Sequence, residues 1–192
     1  MKWRKVNPAT LKTVETSGEA LARLARSTAA RQSEITGNFG QQQVSGYLAK
    51  HGISHEIIQH RLTKVDGRTI GKKAVIGDIF GIVSNPAAGH YGRALVVEVK
   101  VEDFIKLEYS RLAKHQVAKF REWHDKGALI LVAWVRLKPC VEIRFIEWGA
   151  EHFFRPGVAI HWDNATSAHR IACASLGIPP NDWAALAPKA AP

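Results

Sequence analysis

Acidic residues are scarce in this chain: 17 Asp and Glu stand against 27 Lys and Arg in 192 residues, a formal charge of +10. That balance argues against a cationic partner and for a polyanion, nucleic acid first. Cysteine is scarcer still. Cys140 and Cys173 lie far apart, so neither a disulfide framework nor a cysteine zinc motif is available, and both read as packed thiols in a reducing cytoplasm. The nine histidines do not suggest a zinc hydrolase. The longest apolar run, around 128–135, is too short to span a bilayer. No apolar stretch follows Met1-Lys2-Trp3-Arg4-Lys5, which argues against a secretory leader and, with the missing lipidation motifs, for a chain that stays off membranes. No internal repeat is visible.

What is present is the content of a globular protein: 46% hydrophobic and 23% charged residues, enough for one domain with appendages. Residues 1–36 read as a basic arm, 37–147 as a core, and 148–192 as an extension packed on or beside it. A helix is expected from Ser17, carrying Arg23, Arg26 and Arg31. These are either a solvated face or contacts to phosphates. After Gly37 and Gly40 a second helix is expected over 41–51, stopped by Gly52. Gln41, Val44 and Leu48 share one face of it, so Gln41 turns inward. It is either a satisfied core amide or a contact to metal or phosphate.

Asp66-Gly67 between two β-rich runs predicts a hairpin, and 74–83 reads as a strand interrupted by glycines, with Asp78 its one charge. Leu95–Val101 is the next strand. Side chains alternate across it, so Glu98 and Lys100 face one way with Val96 while Leu95, Val97, Val99 and Val101 face the core. A long helix is expected from about 102/103 to Asp125. Leu112, Gln116, Phe120 and Trp123 form its buried stripe, and Lys114 and Lys119 lie among its basic residues. Two strands follow: 128–137, buried, and 141–145, with one wet face. A short helix near 166–176 and a last one after Pro180 complete an α/β chain with a central mixed sheet flanked by helices.

The chemistry gathers on two strands. Charges on an apolar strand cost several kcal/mol unless paired or bound to metal. If the strand carrying Asp78 pairs beside Leu95–Val101, then Asp78, Glu98 and Lys100 form two carboxylates and an ammonium in one cluster. Hard oxygen ligands suit Mg²⁺, which can neutralise phosphate charge and activate water. Asp66 and Glu56 are further acidic candidates.

Gly77-Asp78-Ile79 on one strand, Glu98-Val99-Lys100 on the next, a helix glutamine in Lys114-His115-Gln116 and an apolar strand after it resemble the PD-(D/E)XK nuclease superfamily. Within it the chain is similar to the Holliday-junction resolvases of the archaeal and RecU types, over about 37–145. The resemblance implies a restriction-endonuclease-like core and a homodimer that nicks four-way DNA junctions with Mg²⁺, or Mn²⁺ in its place. It implies Asp78, Glu98 and the Val99 carbonyl as metal ligands, Lys100 at the attacking water, and Gln116 beside the site. Gly37–Gln41 resembles the family's first-helix motif. Its last position is usually Glu and here is Gln41, a weaker Mg²⁺ ligand.

Overall fold

The computed structural model describes residues 17–58, 63–65, 68–70, 77–149 and 154–179. The chain divides into two compact units, 1–36 and 37–192. In the first unit, residues 17–36 are helical and belong to α1 (Ser17–Lys50). α1 continues through Gly37 and Gly40, where the sequence suggested two helices. At Gly40 the glycine has a packing cause. A Cβ there would meet the Val101 Cγ2 at 2.3 Å, so the helix crosses the sheet too closely for any side chain.

The second unit is built on five strands. These are β1 (Ser54–Ile57), β4 (Ile79–Ile82), β5 (Ala94–Val101), β7 (Leu129–Arg136) and β8 (Glu142–Glu147), in the order β1-β4-β5-β7-β8. Only β5 and β7 run parallel, so the sheet is mixed. Two small ribbons accompany it. β2 (Thr63–Val65) pairs with β3 (Arg68–Ile70) in the expected hairpin register, Val65 opposite Arg68. β6 (Lys106–Glu108) pairs with β9 (Ala159–His161). The remaining helices are α2 (Lys114–Asp125) and α3 (Ala165–Leu176). Among the described residues no helix is long and apolar enough to cross a membrane.

Strand alternation sorts the core into two layers. Leu95, Val97 and Val99 of β5 and Leu131, Ala133 and Val135 of β7 face Val44, Tyr47 and Leu48 of α1 and Ala172, Cys173 and Leu176 of α3. Val96, Ile130, Val132 and Trp134 face Phe120 of α2, with Trp148, Phe154 and Trp162. The three described α-helices end alike. Gly52, Gly127 and Gly177 take positive φ, and the next amide bonds back to the carbonyls of Leu48, Trp123 and Cys173 respectively. This left-handed cap suits glycine.

Two further expectations change. The helix expected from 102/103 begins at Lys114. The segment before it instead forms β6 and a 3-10 turn over Tyr109–Arg111, because Leu107 is buried and pairs with Ile160, a partner distant in sequence. Leu112 is buried but precedes the helix. The wet face expected on 141–145 is covered, since Ile143, Arg144, Phe145 and Ile146 are all buried. Arg144 lies under Trp162, its Nη1 donating to the Trp162 carbonyl oxygen and its guanidinium 4.1 Å from the ring centroid. The expected strand over 74–83 is described as β4 over Ile79–Ile82, with 71–76 outside the described residues, as are Asp66 and the helix expected after Pro180.

Candidate active site at the open end of the central strand

β4 pairs with β5 only as far as Ile79 opposite Val97. Beyond that point, among the described residues, β5 has β7 on one edge and no strand on the other. Asp78 fills the gap. Its backbone amide donates to the Val97 carbonyl at 2.9 Å, and its Oδ2 accepts the Val99 amide at 2.8 Å. The carboxylate thus replaces the next ladder partner. Gly77 is required beside it, because a Cβ there would lie 2.8 Å from the Val96 Cγ1. Gln41, carried in from α1, donates from Nε2 to Asp78 Oδ1 at 2.9 Å.

Glu98 lies on the α2 face of the same strand and is 3% exposed. Its Oε1 accepts the Lys100 Nζ at 2.7 Å and the Gln116 Nε2 at 2.7 Å. The Gln116 amide is oriented from behind: its Oε1 accepts the Ala113 backbone N–H at 3.0 Å, which caps the start of α2 and leaves Nε2 aimed at Glu98. The second oxygen, Oε2, is buried and has no hydrogen-bond partner among the described residues. Burial, followed by the Asp78 charge, raises the Glu98 carboxyl above its ordinary pKa, and Lys100 opposes the shift only in part.

These residues fit a hard divalent cation. A buried carboxylate oxygen without a donor is costly to keep, and a cation would satisfy it. The Val99 carbonyl leaves the strand on the same edge as the Val99 amide, past the end of β4. Among the described residues no group of three or more His, Cys, Asp or Glu side chains gathers. The protein therefore offers two carboxylates and a carbonyl, a small set that leaves room for water and phosphate, as Mg²⁺ prefers. Zinc fits poorly. His51 and His55 are four residues apart, but the His55 ring already meets Ser45 Oγ and the Ile53 carbonyl, each at 2.7 Å.

The structure thus brings together Gln41, Asp78, Glu98, Val99, Lys100 and Gln116. Arg26 and Arg31 are exposed on α1, and the Arg23 side chain falls outside the described residues. Lys114 is exposed in the first turn of α2. Lys119 bonds Glu122 Oε2 at 2.7 Å, and with Lys126 it holds that carboxyl at about 2. Glu56 is exposed on the edge strand β1. Sequence reasoning missed Glu102, the next residue on the face of Glu98 and Lys100, whose Oε1 accepts Arg111 Nε at 2.7 Å. The alternation that found Lys100 reaches Glu102, but the partner is visible only once 102–113 is known not to be a helix.

No family model matches the chain, and no curated protein matches it. Among solved structures the chain is similar to that of Archaeoglobus fulgidus Hjc, a Holliday junction resolvase from an archaeal hyperthermophile, with 17% identity, 72% of this chain and 99% of that chain covered, and a TM-score of 0.49.

Proposed function

We propose that this protein is a Mg²⁺-dependent, structure-selective DNA endonuclease that nicks four-way junctions as a homodimer, with Mn²⁺ able to substitute. The observation that carries the reading is the Glu98 carboxylate. It is buried, held through Oε1 by Lys100 and Gln116, and left with Oε2 unpartnered near Asp78. A net charge of +10 supports a nucleic-acid substrate.

A bound Mg²⁺ would neutralise charge on the phosphate and lower the pKa of a water. Asp78, Glu98 and the Val99 carbonyl would hold the cation. Asp78 keeps its orientation through the Val99 amide and Gln41, and Glu98 through Gln116. Lys100 is held 2.7 Å from Glu98 Oε1, on the face of β5 that carries both. It orients the attacking water and stabilises the charge that develops on the phosphoryl oxygens. Arg23, Arg26, Arg31, Lys114 and Lys119 contact the DNA backbone. A two-fold junction calls for a two-fold dimer, one site for each strand cut. The compartment is the cytoplasm.

The test is gel cleavage of an immobile four-way junction beside a linear duplex of the same arms in Mg²⁺. Wild type is expected to nick the junction in symmetric pairs, Lys100→Ala to cut nothing, and Asp78→Asn to bind without cutting. Cleavage by Lys100→Ala at the wild-type rate would sink the assignment. A second reading, junction binding without hydrolysis, is favoured by one feature: Gln41 supplies an amide donor to Asp78 in place of a further carboxylate. A shifted but uncut junction in both Mg²⁺ and Mn²⁺ would select it.

A further inference from the structure

A groove of about 520 Å³ opens beside the candidate active site, lined by Glu102, Phe104, Ile105, Lys106, Glu108 and Arg111. Glu102 continues the register of β5, its amide donating to the Val135 carbonyl at 3.0 Å. The groove therefore starts one side-chain repeat past Lys100, roughly 6–7 Å along the strand.

Two apolar side chains stand out of it into solvent: Phe104 is 71% exposed and Ile105 57%. Their backbone is fastened on both sides. Asp103 Oδ1 accepts the amides of Leu137 and Lys138, at 2.8 and 3.3 Å. The Ile105 carbonyl accepts the Trp162 amide at 2.8 Å, and Leu107 is fully buried two residues on. Phe104 and Ile105 are thus held outward on an anchored platform. An anchored, exposed aromatic beside a reactive site calls for a ligand.

We propose that this groove takes one unstacked nucleobase of the bound DNA, beside the phosphate to be cut. The base lies against Phe104 and Ile105, and Lys106 and Arg111 face its flanking phosphates. The DNA identity of the ligand rests on the nuclease reading above. Two observations favour a base over other occupants. The volume is that of a small-molecule site. The charges on the walls balance, two acidic against two basic, which suits a neutral aromatic ring with phosphates at the rim better than a phosphate at the bottom. Stacking on an aromatic side chain is also tolerant of sequence, as recognition of shape requires.

The test uses the full chain with chelator present, so that nothing is cut. A four-way junction carries 5-iodouracil at the branch point, and a linear duplex carries it mid-arm. On irradiation the junction is expected to cross-link to Phe104, as mapped by mass spectrometry, and the duplex is not. Phe104→Ala should lose the cross-link and bind the junction about tenfold more weakly, with duplex affinity unchanged. Phe104→Trp should restore both. Since Phe104 is mostly solvent-exposed, the melting temperature of each variant should match wild type.

Wild-type affinity and cross-linking in Phe104→Ala would overturn the proposal. So would a fall from dimer to monomer in sedimentation, because the groove would then hold a second copy. Failure of the nuclease reading looks different. Wild type that cross-links through Phe104 but cuts nothing in Mg²⁺ loses the reaction and keeps the groove. Wild type that cuts the junction while Phe104→Ala behaves normally keeps the reaction and loses the groove. Wild type that binds no DNA loses both.

Discussion

Glu98 and Arg144 are both buried charges on the central sheet, on β5 and β8, 3% and 7% exposed. Their surroundings differ in what is left over. Arg144 is spent on the protein: it donates to the Trp162 carbonyl and stacks on the Trp162 ring, where Arg136 also lies 5.0 Å from the centroid. Burial lowers its pKa, but a guanidinium stays charged. Glu98 is spent on one side only, and its Oε2 meets no donor. A charge whose hydrogen-bonding capacity is consumed internally holds a fold together. A charge with capacity to spare, fixed in place by neighbours that do not need it for packing, is set up to act on something else.

The sharpest way to break this comparison is to neutralise each charge. Glu98→Gln should lower junction cleavage by roughly 10³-fold, about 4 kcal/mol of transition-state stabilisation, measured as single-turnover rate in saturating Mg²⁺. Arg144→Ala should leave the rate per folded molecule near wild type but cost roughly 3 kcal/mol in urea unfolding, from the lost ring stacking, hydrogen bond and packing. If Arg144→Ala abolished cleavage without loss of stability, the division would fail.

The Arg144 side of the comparison also carries a pH dependence. His169 accepts the Phe145 amide at its Nδ1 at 3.1 Å, and burial, then Arg144, lowers it from 6.5 to about 4. The folded state thus keeps His169 neutral where the unfolded chain protonates it. Stability from this group is complete above about 6.5 and declines as pH falls toward about 4. Between pH 7 and pH 5 the loss should be roughly 2 kcal/mol. His169→Gln should flatten that part of the urea-midpoint profile. The smallest effect expected returns to Glu98. Its raised pKa means that the ionised carboxylate weakens the fold at pH 7 when no cation is bound. In chelator, Glu98→Gln should raise the Tm by calorimetry.

Legibility in the sequence follows the range of the interactions. The face shared by Glu98 and Lys100 follows from strand alternation, and the inward turn of Gln41 and Gln116 from helical spacing. All four residues meet in the site. Contacts between distant segments were not legible. The start of α2 depends on β9, which draws 106–108 into a ribbon. Arg144 looked solvated because alternation marks it as polar, and only Trp162 folding over it makes it buried. The division of α1 into two helices failed for a related reason. Glycine reads locally as a breaker, whereas Gly40 answers to a strand about sixty residues further on.

Gly40 sets a clearance. Alanine would suit the helix better by about 1 kcal/mol, yet a single methyl would collide with Val101 and lift α1 away from β5. Gln41 is the very next residue, and its 2.9 Å bond to Asp78 has little slack. The spacing between helix and strand therefore acts as a gauge for the acidic site. Without touching the chemistry, a residue with no side chain determines whether the first helix can reach it.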